Sequence, residues 1–369
     1  MSMNYHFSGE DGIASPQLVY YRDIIEENID RMIAIAGGAE RLWPHVKSHK
    51  MKDLVRLQME KGIRRFKCAT VAEAEMVASA GADALILAYP LVGPNVSRFA
   101  ALVEAYPAVK MYAIEDSTPA IEQLSALAQQ KQTVYSVLMD VDMGMQRTGV
   151  PLDQVDALYR QWSKLPGISM EGMHCYDGNR HEHSHEERQR LVDRTDHAVL
   201  AMKDQLNRDG FRCETVVMGG TPSFPCHAAN NHEYVSPGTG VIQDAGYQAD
   251  FPDIALTPGA AILTRVISLP GTDRFTLDCG YKAVAADPAV RGVLLGVDNC
   301  EMVFQNEEHW VFRMKPGHEQ ERPAIGEIFY IIPWHICPTS ALYSDVPVVS
   351  GGEVVDRWVV TARSRRITY

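Results

Sequence analysis

A lysine near the start of the chain, Lys47, stands where an amine could do covalent chemistry with a cofactor. It lies in the run WPHVKSHK (43–50), which follows an amphipathic segment (22–36) and a pair of glycines. The Pro-His-Val run before the lysine has the composition of a strand near the start of an α/β repeat. A lysine at the carboxyl end of the first strand of such a repeat can hold an aldehyde cofactor as a Schiff base. The rest of the chain should then supply partners for a phosphate, a pyridine ring and a phenolate.

Two glycine-rich turns that follow neighbouring predicted strands could hold the phosphate. The first reads MGGTPS (218–223) and the second reads SPGTG (236–240). Glycine lets the backbone approach an anion, and the hydroxyl of Thr221 can donate to a phosphate oxygen. Barrel enzymes often bind phosphate at the ends of their last strands. Either turn alone is more often a plain turn, but together they indicate one phosphate cradle.

Two other strand ends carry side chains suited to a pyridine ring. The run DVDMGMQRTG (140–149) contains Arg147, which could donate to a phenolic oxygen and hold it as the anion. The run GMHCY (172–176) contains His174, which could stack on a flat ring, and Tyr176, which could meet a Schiff base or a phosphate. A surface arginine and a simply hydrogen-bonded histidine are the commoner alternatives at such positions.

A His-x-Cys pair, His335 and Cys337, could bind a metal. On an extended segment, residues i and i+2 share one face, so two ligands can converge. Cysteine with histidine favours Zn²⁺ over Mg²⁺ or Ca²⁺, and two protein ligands leave positions for water and a substrate oxygen. On spacing alone, the commoner alternative is a buried cysteine and a hydrogen-bonded histidine on a strand.

The elements that must position these residues form two patterns. From about residue 18 to residue 243, short apolar runs alternate with longer helical patterns, which predicts a parallel (β/α)8 barrel. No G-x-G-x-x-G motif follows a strand, which argues against a dinucleotide-binding sheet. From 260 to 360, short β-branched runs separated by Gly, Pro and Asp predict an all-β region. The predicted fold is therefore α/β, with a TIM-barrel domain over 17–250 and a β-domain over 251–369 that carries the metal pair; residues 1–16 could add a strand to it.

Composition excludes several classes of function. A chain of 369 residues is too long for one ordinary core. Its net charge of -12 argues against nucleic acid or an anionic membrane as a partner, and leaves a small-molecule substrate as the expected one. No run approaches a membrane span, and the N-terminus has no signal pattern. Seven dispersed cysteines without a CxxC motif predict reduced thiols in the cytoplasm.

Together these segments resemble the fold-type III pyridoxal-phosphate family. Within it they resemble the branch that holds D-threonine aldolase, D-serine dehydratase and D-3-hydroxyaspartate aldolase or dehydratase. The runs at 43–50, 142–149, 278–282, 306–309 and 333–339 are similar to that branch's R-P-H-x-K-T-H-K, D-x-G-M-x-R-T-G, D-A-G-x-K, S-E-E-H and P-N-H-x-C-P-T. Trp43, Ser48 and Trp334 depart from these motifs, and Ser236 stands where related racemases carry an arginine that faces the pyridine nitrogen. Because Trp43 and Trp334 are expected near the substrate pocket, the substrate stays open.

The resemblance implies a role for each candidate residue. Lys47 would be the Schiff-base residue, Arg147 would contact the phenolic oxygen, and His174 would pack against the ring, with Tyr176 nearby. The phosphate would be held by Thr221, Gly238 and Thr239. His335 and Cys337 would bind a divalent metal: Zn, Mn or Mg. The resemblance also implies a homodimer.

The implied activity is that of a lyase on D-3-hydroxy amino acids. Retro-aldol cleavage of a D-threonine-like substrate to glycine and an aldehyde is ranked slightly ahead of D-serine or D-3-hydroxyaspartate dehydration. The base of the aldolase route could be a hydroxide on the metal or His309. An amino-acid racemase would need a second base, for which Tyr281 or Tyr343 could be proposed. A non-catalytic cofactor-binding protein of the single-barrel kind would lack the β-domain and the metal pair.

Overall fold

The structure is a computed structural model, and it describes residues 4–230 and 232–368. These residues form two compact units. The barrel unit contains residues 29–47, 51–230, 232–238 and 364–368, and the β unit contains residues 4–28, 48–50 and 239–363. The sequence prediction placed the domain boundary between residues 250 and 251. By their contacts, residues 239–250 and the segment before residue 29 belong with the β unit.

The helices and strands alternate through the first two thirds of the chain and give way to strands in the last third. The elements before residue 251 are β1 Gln17–Tyr21, α1 Arg22–Ala36, α2 Lys52–Glu60, β2 Arg65–Cys68, α3 Val71–Ala80, β3 Ala84–Leu87, α4 Pro94–Ala105, β4 Lys110–Glu115, α5 Thr118–Lys131, β5 Tyr135–Asp142, β6 Val150–Pro151, α6 Val155–Trp162, β7 Ile168–Cys175, α7 His185–Arg208, β8 Thr215–Met218, α8 Phe224–Ala229, β9 Tyr234–Val235 and α9 Ala245–Asp250. Those after it are β10 Ala260–Ser268, β11 Arg274–Leu277, β12 Gly292–Leu295, β13 Cys300–Gln305, β14 Trp310–Met314, β15 Ile328–Pro333, α10 Ile336–Ser340, β16 Asp345–Ser350 and β17 Glu353–Val359.

The barrel unit contains a parallel sheet with the strand order β2-β3-β4-β5-β7-β8-β9, from which the short β6 branches at β5. Residues 42–45 lie between the two ends of this order, with single bridges from Leu42 to Val235 and from His45 to Lys67. The predicted (β/α)8 architecture is confirmed. The predicted first strand, however, is only this bridging segment, and Lys47 lies in the 3-10 turn Val46–Ser48 that follows it.

The apolar run 18–21 was included at the start of the predicted α/β repeat, but it belongs to the sheet of the β unit. It forms β1, which pairs antiparallel with β10 and parallel with β16 in the β unit. The nine-stranded sheet there has the order β13-β14-β11-β10-β1-β16-β17, with β15 joining β10 to β12. Residues 4–16 contribute one bridge, Ser8 to Glu353, and no strand; residues 1–3 lie outside the described residues.

Trp43, expected near the substrate pocket, packs inside the barrel core instead. It is 2% exposed and its ring lies edge-on to Tyr112 and Tyr234, with centroids 5.9 Å away in both cases. Arg65, the first residue of β2, lies over the same indole at 5.9 Å. Trp43 is therefore at the amino ends of the strands, whereas barrel active sites form at the carboxyl ends. The expectation that Trp43 lies near the substrate pocket was wrong.

Two further features concern the cysteines and the helices. All seven cysteines are free thiols. Among the described residues, no helix combines the length and the apolar character that crossing a membrane requires.

Candidate active site

Tyr176, directly after β7, is surrounded by three cations in the barrel unit. Lys47 Nζ lies 5.7 Å from the centre of its ring, Lys67 Nζ lies 5.2 Å away, and Arg147 Cζ lies 5.5 Å away. They come from the turn after residue 45, from β2 and from the loop after β5. The carboxyl ends of parallel strands meet on one side of a barrel, which brings these distant parts of the chain together. Three of the predicted residues thus converge, and a fourth residue, Lys67, joins them.

His174, near the end of β7, is held at both ring nitrogens. Its Nδ1 lies 2.6 Å from Oδ1 of Asp140, and its Nε2 lies 3.4 Å from Nζ of Lys67. The carboxylate requires the proton on Nδ1, so Nε2 is left as the acceptor for the lysine. Burial, and after it the charge of Lys67, lowers the pKa of His174, so the ring stays neutral. A neutral imidazole that lines the same small cavity as Arg147 and Tyr176 suits the predicted packing against a pyridine ring.

Lys67 was missed by the sequence prediction. It occupies the middle of β2, and its side chain is 3% exposed inside the barrel. Burial, followed by the charge of Lys47, lowers its pKa to about 7. The sequence feature that could have indicated it is a lysine inside the short run FKCA (66–69), because a buried parallel strand is normally apolar.

The glycines of the phosphate turn let the backbone lie directly against Tyr176. A Cβ added at Gly220 would come 2.9 Å from the tyrosine ring, and one at Gly178 would come 2.4 Å from it. Gly219 has a φ of +74° and abuts His227, with a built Cβ only 2.6 Å from that imidazole. Since a side chain at these positions would collide with Tyr176 or His227, glycine is what permits so close a packing.

The two predicted phosphate turns meet each other. The N–H of Gly238 donates to the Thr221 hydroxyl at 3.0 Å. The N–H of Gly220 donates to Oγ of Ser223 at 3.1 Å, and that hydroxyl donates to Asp177 at 2.6 Å. Backbone amides and hydroxyls are the groups that hold a phosphate in proteins, and these two turns bring such groups together. The residues present in the barrel unit therefore fit pyridoxal phosphate, with Lys47 as the amine, Arg147 as the partner of the phenolic oxygen and Thr221 in the phosphate turn.

The predicted metal pair lies in the β unit, and Thr239 is with it. Its hydroxyl is 3.3 Å from Sγ of Cys337, which donates to the Ser48 hydroxyl at 3.1 Å. The ring of His335 also hydrogen-bonds the Cys337 side chain. The imidazole and the thiol therefore lie together, as two protein ligands of a metal such as Zn²⁺ do. The assignment of Thr239 and Gly238 to the phosphate stays a prediction.

The local structure of the pair differs from the extended segment that was predicted. His335 is the extended N-cap of α10, and Cys337 lies in its first turn. The N–H of Ile336 donates to Oδ2 of Asp244 at 3.0 Å, while Oδ1 of the same carboxylate accepts the N–H of Tyr247 at 2.9 Å. Burial raises the pKa of Asp244 to about 6. One carboxylate thus fixes the start of both α9 and α10, and a helix start, rather than a strand face, makes the two side chains converge.

Asp287 holds the other side of His335. Its Oδ2 lies 2.5 Å from Nδ1 of the imidazole. Burial alone would lower the pKa of His335, but hydrogen bonds to Cys337 and Asp287 outweigh it and raise the pKa to about 9. A carboxylate on the second nitrogen orients a metal-binding histidine and strengthens it as a ligand.

Replacing Asp287 with asparagine should therefore weaken metal binding by about 10- to 100-fold. Equilibrium dialysis against Zn²⁺, with metal quantified by mass spectrometry, measures this effect. Asp298→Asn, a change at another carboxylate of the β unit, is the matched control and should leave the affinity unchanged. An unaltered affinity in Asp287→Asn would show that this carboxylate does not support a metal ligand.

A second group of possible metal ligands, Asp196, His227 and His232, is buried in the barrel unit, and its ligand atoms lie within 4.8 Å of one another. Nδ1 of His227 is 2.8 Å from Asp196, and its Nε2 is 3.0 Å from Asp177. Burial would lower the pKa of His227, but Asp177 and Asp196 raise it to about 9. Both ring nitrogens of His227 therefore face carboxylates, whereas His335 has a carboxylate on one side and the thiol of its fellow candidate ligand on the other. This group is better explained as a buried charge network below the phosphate turn.

This network predicts a pH dependence of stability. The folded-state pKa of His227 is about 9, above its ordinary 6.5, so its stabilisation is complete below pH 6.5 and is lost as the pH rises through 9. We expect the free energy of unfolding to fall by about 3 kcal/mol from pH 6.5 to pH 9.5. Urea unfolding at both pH values measures the change, and His227→Gln should flatten it. An equally steep dependence in the variant would assign it to other groups.

His309, the predicted alternative base, is exposed in the turn between β13 and β14. Its carbonyl accepts the N–H of Asn306 at 2.8 Å. No contact described by the structure joins it to His335 or Cys337, so the structure does not bring this histidine to the metal pair. Its role as a base stays a prediction.

Comparison with known proteins agrees with this geometry. Residues 21–245 match the alanine racemase N-terminal domain, and residues 259–349 match a serine dehydratase domain. The chain is 30% identical over 360 residues to a D-threonine aldolase of Arthrobacter sp., covering 95% of this chain and 93% of the relative. It is 27% identical over 370 residues to a 3-hydroxy-D-aspartate aldolase of Paracoccus denitrificans (strain Pd 1222), covering 96% and 94%. The solved D-threonine aldolase from Filomicrobium marinum superposes with a TM-score of 0.89 at 25% identity and covers 100% of both chains.

The family is shown by two independent matches, one to a domain over more than half of the chain and one to a 30% identical relative over nearly all of it. The lysine, arginine, histidine and tyrosine that converge in the barrel occupy positions that the resemblance gave to the cofactor. The chain belongs to the fold-type III pyridoxal-phosphate enzymes built on the alanine racemase N-terminal domain, in the branch that includes D-threonine aldolase.

Proposed function

We propose that this protein is a pyridoxal-phosphate- and divalent-metal-dependent lyase that cleaves D-3-hydroxy amino acids to glycine and an aldehyde. The observation that carries the proposal is the convergence of Lys47, Arg147 and His174 around Tyr176 in the barrel unit. The relative of 30% identity, which spans nearly the whole chain, is a D-threonine aldolase. A D-threonine-like substrate is therefore preferred.

The residues of the barrel unit divide the work of holding and activating the cofactor. Lys47 would bind it covalently, Arg147 would keep the phenolic oxygen anionic, and neutral His174 would support the ring face. The turn with Thr221 would hold the phosphate. Pyridoxal phosphate, when bound, takes up the electron pair that remains on Cα after Cα–Cβ cleavage. The hydrogen bond from Nδ1 to Asp140 orients the imidazole of His174.

The His335 and Cys337 pair would hold the divalent metal, with Zn, Mn and Mg as candidates. A metal held by this pair would polarise the substrate hydroxyl, which would assist loss of its proton in an aldolase or its departure in a dehydratase. Asp287 orients the imidazole, and Asp244 fixes the turn that presents the thiol. The metal pair alone does not separate the two chemistries.

Dehydration of D-serine or D-3-hydroxyaspartate is the second candidate, favoured by the match of residues 259–349 to a serine dehydratase domain. A racemase is less well supported. Tyr343, one of its possible second bases, donates its hydroxyl to the carbonyl of Ala283 at 2.8 Å, and burial raises its pKa well above the ordinary value. Tyr281, the other possible second base, is 42% exposed, in contrast to the partly buried Tyr343.

The test is incubation of cofactor-loaded protein with D-threonine, D-serine and D-3-hydroxyaspartate, each with and without a chelator. We expect glycine and acetaldehyde from D-threonine, and loss of that activity with the chelator. Keto acid and ammonia would replace the aldolase with a dehydratase. Activity that resists the chelator would remove the metal from the reaction, and absence of any product would overturn the proposal.

We further infer a homodimer and a cytoplasmic location. Apolar side chains of the strands β12 and β13 are exposed in the single chain, among them Val293 at 40%, Met302 at 48% and Phe304 at 45%. Such a surface is typical of one that is covered by a partner. The free state of all seven cysteines supports a reducing compartment. Light scattering after size-exclusion chromatography, which gives the mass in solution, tests the dimer.

A further inference from the structure

The amine of Lys67 is the most unusual group in the barrel that no step above uses. It is 3% exposed, and its nearest polar partner is Nε2 of His174 at 3.4 Å. Behind that imidazole, Asp140 accepts from Nδ1 at 2.6 Å. A buried lysine must be stabilised by neighbours, and this one is stabilised through an imidazole by a carboxylate. Lys67 therefore occupies a site in which neighbouring side chains accommodate its amine.

The same amine shares a chamber with the cofactor lysine. Nζ of Lys67 and Nζ of Lys47 face one aromatic ring, that of Tyr176, at 5.2 and 5.7 Å from its centre. Two ammonium groups in so small a space repel each other, and a lysine beside another cation is a recognised way to make an amine nucleophilic. Their protons are coupled: a proton on one nitrogen makes a proton on the other less favourable.

We propose that Lys67 is the charge partner of Lys47. The His174–Asp140 pair holds a proton on Lys67, and that positive charge disfavours a proton on the Lys47 nitrogen. Without its proton, the Lys47 nitrogen has the lone pair with which it can attack a carbonyl carbon. The inference rests on the proposed function, because it assigns Lys47 to the cofactor. Lys67 needs no contact with the substrate for this role. It acts through the field that it places on its neighbour.

The charges that face Lys67 agree with this role. Lys47 and Arg147 disfavour its proton, while Asp140 and Asp177 favour it, and burial is the largest effect that lowers its pKa, to about 7. When the Lys47 nitrogen is uncharged, the second largest cause of that lowering is gone. Lys67 then holds its proton more firmly, so one positive charge remains on Lys67 when Lys47 is uncharged.

The experiment is a spectroscopic pH titration of the protein loaded with pyridoxal phosphate. The visible absorbance of the cofactor bound through a lysine nitrogen reports whether that nitrogen carries a proton. In Lys67→Gln a positive charge is removed, so the midpoint should rise by about one pH unit. Lys67→Met removes the same charge with an apolar side chain, so the midpoint should rise by a similar amount. Lys67→Arg should restore the wild-type midpoint.

A shift that appears in Lys67→Gln and Lys67→Met and is reversed in Lys67→Arg separates an electrostatic role from damage to the fold, because the charge is the property that only the arginine restores. Lys131→Met, at a surface ion pair of the same unit, is the control and should not shift the midpoint. A wild-type midpoint in loaded Lys67→Gln overturns the proposal. Should that variant take up no cofactor, Lys67→Met decides in its place, and a wild-type midpoint there overturns the proposal. Wild-type protein without any cofactor band would instead contradict the proposed function.

Discussion

Replacement of Lys47 by alanine is expected to abolish the visible absorbance of bound pyridoxal phosphate and to lower turnover of D-threonine by at least about 10³-fold. The side chain is half-buried, and its amine faces Tyr176 with Lys67 and Arg147 around the same ring. No other amine would sit in the same 3-10 turn to replace it. Absorbance spectra and a coupled acetaldehyde assay measure the two losses.

Two further variants separate covalent attachment from charge. Lys47→Arg keeps the positive charge near Tyr176 but cannot form a stable bond with the aldehyde, so it should lose both the band and the activity. Lys52→Ala, at the start of α2, is the matched control and should keep both. A band of full intensity in Lys47→Ala would mean that another lysine holds the cofactor, and Lys67 would then be the first to examine.

The barrel could be predicted from the sequence because its strands are buried on both faces. All four residues of β3 are buried, so a short apolar run marks the strand without any need for alternation. Helix α3 is a helical pattern with a clear start and stop in the sequence. The N-cap Thr70 accepts the N–H of Glu73 at one end of α3, and Gly81 ends it in the left-handed conformation.

Other features depend on partners that lie far away in the chain. The strand β1 looked like part of the repeat, but its partners are residues 260–263 and 348–349, which no local pattern reveals. Lys67 was missed because a single lysine in an apolar run does not show into which space it points. His335 and Cys337 were found as a pair, yet their convergence depends on Asp244, which is more than ninety residues away and holds the first turn of α10.

The second large effect is expected at that pair. Changing His335 or Cys337 to alanine should abolish tight binding of a divalent metal and lower the aldolase activity by about 10²- to 10³-fold. The visible band of pyridoxal phosphate should remain, because Lys47, Arg147 and Thr221 belong to the barrel unit and the metal pair belongs to the β unit. Metal content by mass spectrometry and absorbance of the same sample test both halves of this expectation.

Cys337→Ser decides between a ligand and a buried structural thiol. The serine hydroxyl can keep the hydrogen bonds to Ser48 and Thr239, so a merely structural thiol would be replaced with little effect. As a ligand, however, a hydroxyl binds Zn²⁺ far more weakly than a thiolate, and the variant should lose metal and activity as the alanine variant does. Cys300→Ala, at another free thiol of the β unit, should retain both. Because the hydrogen bonds are retained and only the ligand chemistry changes, full metal content in Cys337→Ser would show that the thiol does not bind the metal.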